Sequence, residues 1–269
     1  MEGVELLMAQ YSIAHQEYIQ KQRKARRTIT YYRVLIFIAF LIIWELTARI
    51  GIIDSFIFSS PSNVVMTFIS MLADKSLFYH IYITLFETLT CFLLVIIFSI
   101  IISTLLWLSD RAAQITEPFL VILNSLPKSA LAPLLIVWLG SNYKTIIIAG
   151  ISVAVFGSIL NIYTGFKNTD EEKLKLITTL GGSKYTALIK VVYPESISII
   201  LNTMKVNIGL SLVGVIIGEF LCGRSGLGYL IIYGSQVFKL DWLIMSIILL
   251  CIIAMVLYKL LQMLEKKFS

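Results

Sequence analysis

The chain has 269 residues, of which 58% are hydrophobic and only 14% are charged, and its mean hydropathy is +0.88. Soluble domains carry about 45 to 50% apolar and about 25% charged residues, so this chain lacks the polar side chains that would cover a water-soluble globule. The composition excludes a disordered chain, a collagen and a disulfide scaffold. It predicts an all-α polytopic membrane protein that forms one compact domain.

Apolar windows along the chain predict about six transmembrane helices. Each window approaches about 20 residues, the length of a helix that crosses the hydrocarbon core at about 1.5 Å per residue. A polar segment of about thirty residues precedes the first window, which favours an uncleaved span over a signal peptide. The predicted spans cover residues 34–47 with an extension to 53, 85–108, 118–139, 145–166, 197–221 and 240–264.

The distribution of basic residues predicts the orientation of these spans. Most of the 22 Lys and Arg residues fall in the N-terminal segment, the second and fourth loops and the C-terminal tail. The positive-inside rule therefore predicts that these parts, with both termini, are cytoplasmic. The formal charge of +6 then reflects membrane topology, and no nucleic-acid partner is expected. The expected organisation is a cytoplasmic segment 1–33, a transmembrane domain 34–264 and a cytoplasmic tail 265–269.

The cysteines and histidines predict no metal site. Cys91, Cys222 and Cys251 are far apart, lie in or beside apolar stretches and lack the spacing of zinc ligands. We expect them to be reduced, buried and hydrophobic in character. His15 and His80 add no metal-binding pattern.

The fourth loop, residues 167–195, predicts a short amphipathic helix that projects into the cytoplasm. An acidic cluster favours a helix N-terminus, and apolar residues then recur with helical spacing to form one edge. Two interpretations are open: the helix lies on lipid headgroups, or it docks on a cytosolic protein. The acidic residues are Asp170, Glu171 and Glu172, and the apolar residues are Leu174, Ile177 and Leu180.

Two glycines are expected to end this helix. Gly181 and Gly182 accept positive φ angles without steric cost and suit a helix C-terminus. A second helical segment then starts at Ser183 and Lys184 and leads to Pro194, which suits the entrance to the next span.

Ionisable residues within the spans are candidates for a translocation path. Such groups cost about 2.5 to 3.5 kcal/mol each at the helix centre, so they usually face a cavity or a partner. Lys128 lies beside prolines, and snorkelling at a kinked helix end is an equal alternative to a role in the path. The candidates are Glu45, Glu87, Lys128, Lys205 and Glu219.

A pair of small residues in the fifth span predicts a close helix contact. Gly214 and Gly218 lie one helical turn apart, a spacing that lets two helix backbones approach. Plain packing within the chain and contact with another subunit are both open.

The fourth loop resembles a known family. Gly181, nine residues, Val191, one residue and then Tyr193 and Pro194 are similar to the cytoplasmic-loop signature of permease subunits of binding-protein-dependent ABC importers. The Glu-Ala-Ala that opens this signature is absent, since residues 175–177 read Lys-Leu-Ile.

Further segments resemble the nitrate, sulfonate and taurine permease subfamily, in the expected order. Two departures are Glu87, where the subfamily usually has Arg, and Cys91, where it usually has Gly. The packing and charge pairing of the second span are therefore expected to differ. The similar segments are residues 56–65, 126–140, 161–165, 180–197 and Glu219 with 226–228.

The resemblance implies a type I ABC importer transmembrane domain of the MetI-like kind. It implies two copies of this chain as a homodimer, two cytosolic ATPase subunits that hold ATP and Mg, and an extracytoplasmic substrate-binding protein. The ATPase-coupling role falls on Asp170–Lys184, with Leu174, Ile177 and Leu180 as apolar contacts. Binding-protein docking falls on loops that include Ser60, Pro61, Gly226, Leu227 and Gly228. The translocation path falls on Lys128, Asn161, Lys205, Asn207 and Glu219.

No phosphate-binding loop is encoded, because the nearest candidate, residues 181–184, lacks the upstream glycine and the Gly-Lys pair. We therefore expect no enzyme and no cofactor in this chain, which is expected in the cell membrane. The resemblance favours small anions such as aliphatic sulfonates, taurine or nitrate as substrates. A thiamine pyrimidine precursor or riboflavin is the alternative. An intramembrane enzyme and an ATP-independent secondary transporter are less favoured, because no intramembrane catalytic set and no clear half-to-half similarity are present.

Overall fold

A computed structural model describes the backbone of residues 2–268 and the side chains of residues 18, 21–24, 27–54, 57–263 and 265. The expected C-terminal tail beyond residue 265 has no described side chain, and the side chain of His15 also lies outside the described residues. All regular structure in residues 2–268 is helical, as the composition predicted. The helices are α1 (Glu2–Ile50), α2 (Ser55–Phe58), α3 (Pro61–Ala73), α4 (Ser76–Leu108), α5 (Asp110–Ser125), α6 (Lys128–Leu139), α7 (Tyr143–Lys167), α8 (Glu171–Thr179), α9 (Lys184–Ala187), α10 (Tyr193–Cys222), α11 (Leu227–Gln236) and α12 (Leu240–Phe268).

The chain divides into two compact units, one that ends at Asn63 and one that begins at Val64. The first contains α1, α2 and the start of α3, and the second contains the remaining helices. Five helical segments of the described residues are long and apolar enough to cross a membrane. They correspond to five of the six predicted spans and lie at residues 21–50, 76–108, 143–167, 184–222 and 240–263.

The third predicted span is broken, which corrects the expectation of one helix over residues 118–139. Helices α5 and α6 meet at an angle of 97°. Leu126 is extended, with ψ of 140°, and Pro127 follows it. Proline disfavours a helical conformation in the residue before it and supplies no backbone N–H, so the helix stops there. The pair counts as a sixth span only if both halves are taken together.

Helix α7 lies at the centre of the second unit and packs against α4 and α10. The contact with α10 is unusually close, because a Cβ at Gly214 would lie 2.7 Å from the Cα of Gly150. A Cβ at Gly218 would likewise lie 2.9 Å from the Cα of Ile146. Both glycines of α10 therefore serve packing within the chain, where small residues let helices gain dispersion contacts that lipid cannot replace.

The segment before Pro194 is helical and continuous with the next span. Helix α9 passes into a π-helical turn, Leu188–Val192, and then directly into α10. The amide of Tyr193 donates to the carbonyl of Leu188, five residues back. The wider turn accommodates Pro194, which has no N–H to continue the normal ladder. Within the fourth loop, only residues 168–170 and 180–183 interrupt the helices.

Candidate functional site

Helix α8 forms the expected short helix of the fourth loop. Asp170 caps it, since its side chain accepts from the amide of Glu172 at 2.9 Å. Glu171 and Glu172 lie in the first turn, where carboxylates favour the positive end of the helix dipole. Gly181 has φ of +81°, so a glycine turns the chain out of the helix as predicted.

The inner side of α8 faces its own chain. Leu174 is half-buried and packs against a buried cluster that contains Phe166 and Leu188. Ile177 is also half-buried, and a Cβ at Gly182 would clash with its side chain. One of the three apolar residues expected to contact an ATPase, Leu174, therefore holds α8 against the chain.

The outer side of α8 carries a different apolar pair. Leu180 is 74% exposed and Leu176 is 59% exposed. Leu180 was an expected partner contact, whereas sequence reasoning missed Leu176. Leu174, Ile177 and Leu180 were expected to form one free apolar edge, but Leu174 and Ile177 are half-buried and only Leu180 of the three is exposed. The exposed apolar edge of α8 consists of Leu176 and Leu180.

Polar contacts brace the loop at both ends. Lys173 Nζ donates to Glu195 Oε1 at 3.3 Å, which ties α8 to the start of α10. Lys184 Nζ lies 3.5 Å from Asp110 Oδ1 and 5.5 Å from the ring centroid of Trp107. Such exposed pairs contribute only about 0 to 1 kcal/mol each, so the apolar contact of α8 supplies more of its attachment. Ser183 accepts from the amide of Thr186 at 3.2 Å and caps α9.

Glu219 is fully buried and anchors the start of α11. Its Oε1 accepts from Thr84 Oγ1 at 2.7 Å, and its Oε2 accepts from the amide of Gly228. Thr84 Oγ1 in turn accepts from the amide of Leu227 at 2.8 Å. His80 Nδ1 accepts from the amide of Gly226 at 3.0 Å. Side chains of α4 and α10 thus satisfy three consecutive amides at the N-terminus of α11, which would otherwise lack partners.

This arrangement bears on two predicted sites. Within this chain the Glu219 carboxylate is enclosed by α4 and α11, and its place in the translocation path stays a prediction. Gly226, Leu227 and Gly228 are buried, so their side of the loop is not free to dock a binding protein. The sequence shows a glutamate followed by Gly-Leu-Gly, and the structure explains this pattern as the cap at the N-terminus of α11. Thr84 was missed, because a lone threonine in an apolar span gives no signal of its own.

A second carboxylate lies beside Glu219. Glu87 is 3% exposed and interacts electrostatically with Glu219, and its Oε2 has no hydrogen-bond partner among the described residues. No ion pair with a cationic side chain is found for either glutamate in the part of the chain that the structure describes. The departure expected at Glu87 therefore places two carboxyl groups together inside the bundle.

Two further path candidates have partners inside the chain. Lys205 Nζ donates to both carboxylate oxygens of Glu265 at 2.8 Å, which joins α10 to α12. Asn207 is 2% exposed and donates to Ser158 Oγ on α7. Both residues therefore connect helices in this structure, and their place in the translocation path stays a prediction. Sequence reasoning missed Glu265 because it was assigned to the tail.

The remaining path candidates differ in their positions. Lys128 is the first residue of α6 and its ammonium donates to the backbone carbonyl of Asn124 in α5. It therefore satisfies a carbonyl at the broken helix end, which agrees with the snorkelling alternative. Asn161 is exposed on α7.

The residues expected to open the first extracytoplasmic loop begin a helix. Ser60 Oγ accepts from the amide of Asn63 at 3.3 Å, and Pro61 is the first residue of α3. A serine cap followed by proline is a favoured helix start. Glu45 accepts from Ser62 Oγ at 2.9 Å and from Arg49 at 2.7 Å, so this intramembrane carboxylate is paired within the first unit.

Among the described residues, no group of three or more His, Cys, Asp or Glu side chains could hold a metal ion. The side-chain clusters found here hold helices together, and α8 is the candidate site that presents an unpartnered surface.

Comparison with protein families gives one match that covers most of the chain. Residues 95–268 match the family described as binding-protein-dependent transport system inner membrane component. The matched range includes α7 to α11, with α8 and its flanking turns.

Individual relatives cover most of the chain and of their own length. An ABC transporter permease protein of Haemophilus influenzae is 28% identical over 218 residues, 81% of this chain and 88% of that protein. The formylaminopyrimidine transport permease ThiX of Halalkalibacterium halodurans is 28% identical, with 72% and 77% covered. The aliphatic sulfonates transport permease SsuC of Bacillus subtilis is 23% identical, with 92% and 90% covered.

The fold is similar to that of a chain in the inward-facing MetNI methionine ABC transporter. The TM-score is 0.63 at 13% sequence identity, over 73% of this chain and 98% of that chain. This likeness supports the MetI-like fold expected from the sequence.

Proposed function

Because the chain belongs to the family of binding-protein-dependent transport system inner membrane components, we propose that it is the membrane subunit through which an ATP-driven importer moves a small solute into the cytoplasm. The observation that carries this proposal is the family match over residues 95–268. The chain is an ABC importer permease component and a multi-pass membrane protein. Its relatives are named as permeases, and ATP hydrolysis belongs to a separate subunit.

In the proposed complex, α8 couples the ATPase to the transmembrane helices. The exposed pair Leu176 and Leu180 offers an apolar contact, while Leu174 on the opposite side packs against the chain. Chain connectivity places α8 between α7 and the continuous α9–α10 helix, the two helices in closest mutual contact. A displacement of α8 would therefore be transmitted to both of them, because a packed and braced helix moves as a unit.

The proposed assembly has two copies of this chain, two cytosolic ATPase subunits that bind ATP and Mg, and an extracytoplasmic binding protein. Both termini are proposed to be cytoplasmic, and the location is the cell membrane. Docking of the binding protein is proposed at two loops, each taken by itself: the exposed part of the loop before Pro61 in the first unit and the loop around Arg224 in the second. Ser60 and residues 226–228 are themselves buried.

The first substrate candidate is a small anion such as an aliphatic sulfonate, taurine or nitrate. The relative named for aliphatic sulfonates supports it, because the match spans 92% of this chain. A thiamine pyrimidine precursor is the second candidate, supported by the relative named for formylaminopyrimidine at 28% identity. Riboflavin is a third, since a permease of Chloroflexus aurantiacus named for it is 25% identical. Lys205 adds no support for an anion, because Glu265 neutralises it.

Reconstituted transport tests the function. The chain would be expressed with its genomic neighbours, purified and placed in proteoliposomes with the binding protein outside and Mg-ATP inside. We expect an ATPase subunit to co-purify and uptake of one labelled candidate solute to require both ATP and the binding protein. Uptake by the purified chain with no ATPase subunit bound would overturn the proposal in favour of a secondary transporter.

A further inference from the structure

The segment of α1 before the first span carries an unbalanced positive charge. Basic residues recur from Lys21 to Arg33, and residues 18–44 contain no Asp or Glu. The structure leaves their described side chains exposed. We call this group the basic collar; its described members are Lys21, Arg23, Lys24, Arg27 and Arg33.

The basic collar surrounds the helix on all sides. At about 100° of rotation per residue from Lys21, Arg33 lies near 120°, Arg23 near 200°, Arg27 near 240° and Lys24 near 300°, so the five described members leave no gap wider than about 120° around the helix. Residues 21–27 include only one apolar residue, Ala25, so this part of α1 has no apolar face to lie in the membrane plane. The helix is unbroken from residue 2 to 50, so it continues from the collar into the apolar span without an interruption.

The distances along α1 place the collar at the membrane surface. If the hydrocarbon core begins at Val34, residues 28–33 rise about 9 Å at about 1.5 Å per residue, slightly more than one headgroup layer. Tyr31 and Tyr32 lie in that stretch and are exposed, as is common for aromatic residues at this depth. Arg33 then lies within the headgroup layer, and the backbone of residues 21–27 stands about 3 to 15 Å beyond that layer, a range comparable to the Debye length of about 8 to 10 Å.

We propose that the basic collar binds the headgroups of anionic phospholipids that surround α1. Charge complementarity identifies the occupant, because a juxtamembrane cluster of Lys and Arg attracts an anionic leaflet. The all-round distribution favours lipid over an acidic protein surface, which would contact one side of the helix. The interaction fixes the depth and tilt of α1 and is independent of the transported substrate.

Lipid selectivity measures this binding directly. The full-length chain, with any subunits that co-purify, would be placed in phosphatidylcholine nanodiscs that contain spin-labelled phosphatidylglycerol or spin-labelled phosphatidylcholine. Electron paramagnetic resonance gives the fraction of each label immobilised by the protein. We expect a several-fold preference for phosphatidylglycerol at low salt and a loss of that preference as salt is raised.

Two variants separate charge from other effects. K21Q/R23Q/K24Q/R27Q should reduce the preference towards one, whereas the charge-conserving K21R/R23K/K24R/R27K should retain it. Equal immobilisation of both lipids by the wild type, or an unchanged preference in the glutamine variant, would overturn the proposal. If the wild type shows no lipid preference and the glutamine variant loses a co-purifying subunit, the collar binds a protein and the proposal is also overturned.

If the glutamine variant fails to insert into the membrane, a second measurement on the wild-type chain tests the proposal. A photoactivatable phosphatidylglycerol would be crosslinked to the wild-type chain and the modified residues mapped by mass spectrometry. Crosslinks within residues 18–33 that high salt suppresses support the proposal. Crosslinks confined to the second unit would contradict it.

Discussion

The Glu219 carboxylate fills the space that any side chain at position 226 would need. A Cβ at Gly226 would overlap both Glu219 oxygens, and Gly226 has φ of +108°. The amide of Gly228 donates to the same carboxylate, and a Cβ there would lie 2.7 Å from Glu219 Oε2. The glutamate and the two glycines therefore form one interlocked unit that fixes α11 to the bundle.

Gly226→Ala should destabilise the chain by about 2 to 4 kcal/mol, because it adds a steric clash to a backbone conformation that L-residues disfavour. Thermal unfolding in detergent measures the change. Gly209→Ala is the matched control, since a Cβ at Gly209 meets nothing within 4 Å. A loss of stability at position 209 equal to that at position 226 would contradict the steric explanation.

The two buried glutamates should respond differently to neutralisation. Glu219→Gln should cost about 1 to 3 kcal/mol, because an amide cannot accept from both Thr84 and Gly228. Glu87→Gln should leave the stability unchanged or raise it, because its amide can donate to Glu219 as a protonated carboxyl group would. Both variants would be compared by thermal unfolding at neutral pH. An equal loss in both would show that Glu87 has a structural partner of its own.

A charge on the outer edge of α8 should uncouple the proposed importer. Leu180→Glu places a carboxylate in an apolar contact and should reduce ATPase co-purification and ATP-driven uptake at least tenfold, which corresponds to about 1.4 kcal/mol or more. Membrane insertion should be normal, because Leu180 is exposed. Pull-down and proteoliposome uptake measure the two effects.

Asn168→Asp is the control for that charge. Asn168 is exposed in the same loop and lies outside the apolar edge, so coupling should be retained. Normal uptake by Leu180→Glu, or an equal loss of uptake in both variants, would contradict the assignment of Leu180 as an ATPase contact.

The pair between α10 and α12 should behave as a structural ion pair. Lys205→Met should destabilise the chain by about 1 to 3 kcal/mol, less than for a fully buried pair because the two side chains are 16% and 28% exposed. The double variant K205M/E265Q should regain most of that loss, because no unpaired charge is left behind. A double-mutant cycle in thermal unfolding measures the coupling. If the double variant is stable but has lost uptake, that result would instead support a role for Lys205 in the translocation path.

The positions of the spans and of α8 could be predicted because both depend on local properties. A helix in lipid must satisfy its backbone within the segment, so an apolar run of sufficient length marks it. The acidic residues and glycines around α8 act on the nearest turn, so Asp170 and Gly181 were recognisable. The break at Leu126 could also have been read from Pro127, but the apolar run on both sides obscured it.

The roles of the buried polar residues could not be predicted, because the sequence does not state which distant residue each one meets. Thr84 and Glu219 are 135 residues apart, and Lys205 and Glu265 are 60 residues apart. As single residues in apolar helices, Lys205, Asn207 and Glu219 resembled path residues. Packing places each of these side chains beside a hydrogen-bond or ion-pair partner. An unpaired polar group in a dry interior would cost free energy of folding.

The sequence by itself determined that this chain crosses the membrane several times and carries a capped helix in its fourth loop, because hydropathy and helix caps are local. The tertiary structure decided which side of that helix is free. Leu174 packs against the cluster that contains Phe166 and Leu188, whereas Leu176 and Leu180 are exposed. It also decided that Glu219 caps α11, because only close packing of α4, α10 and α11 brings a carboxylate to those amides.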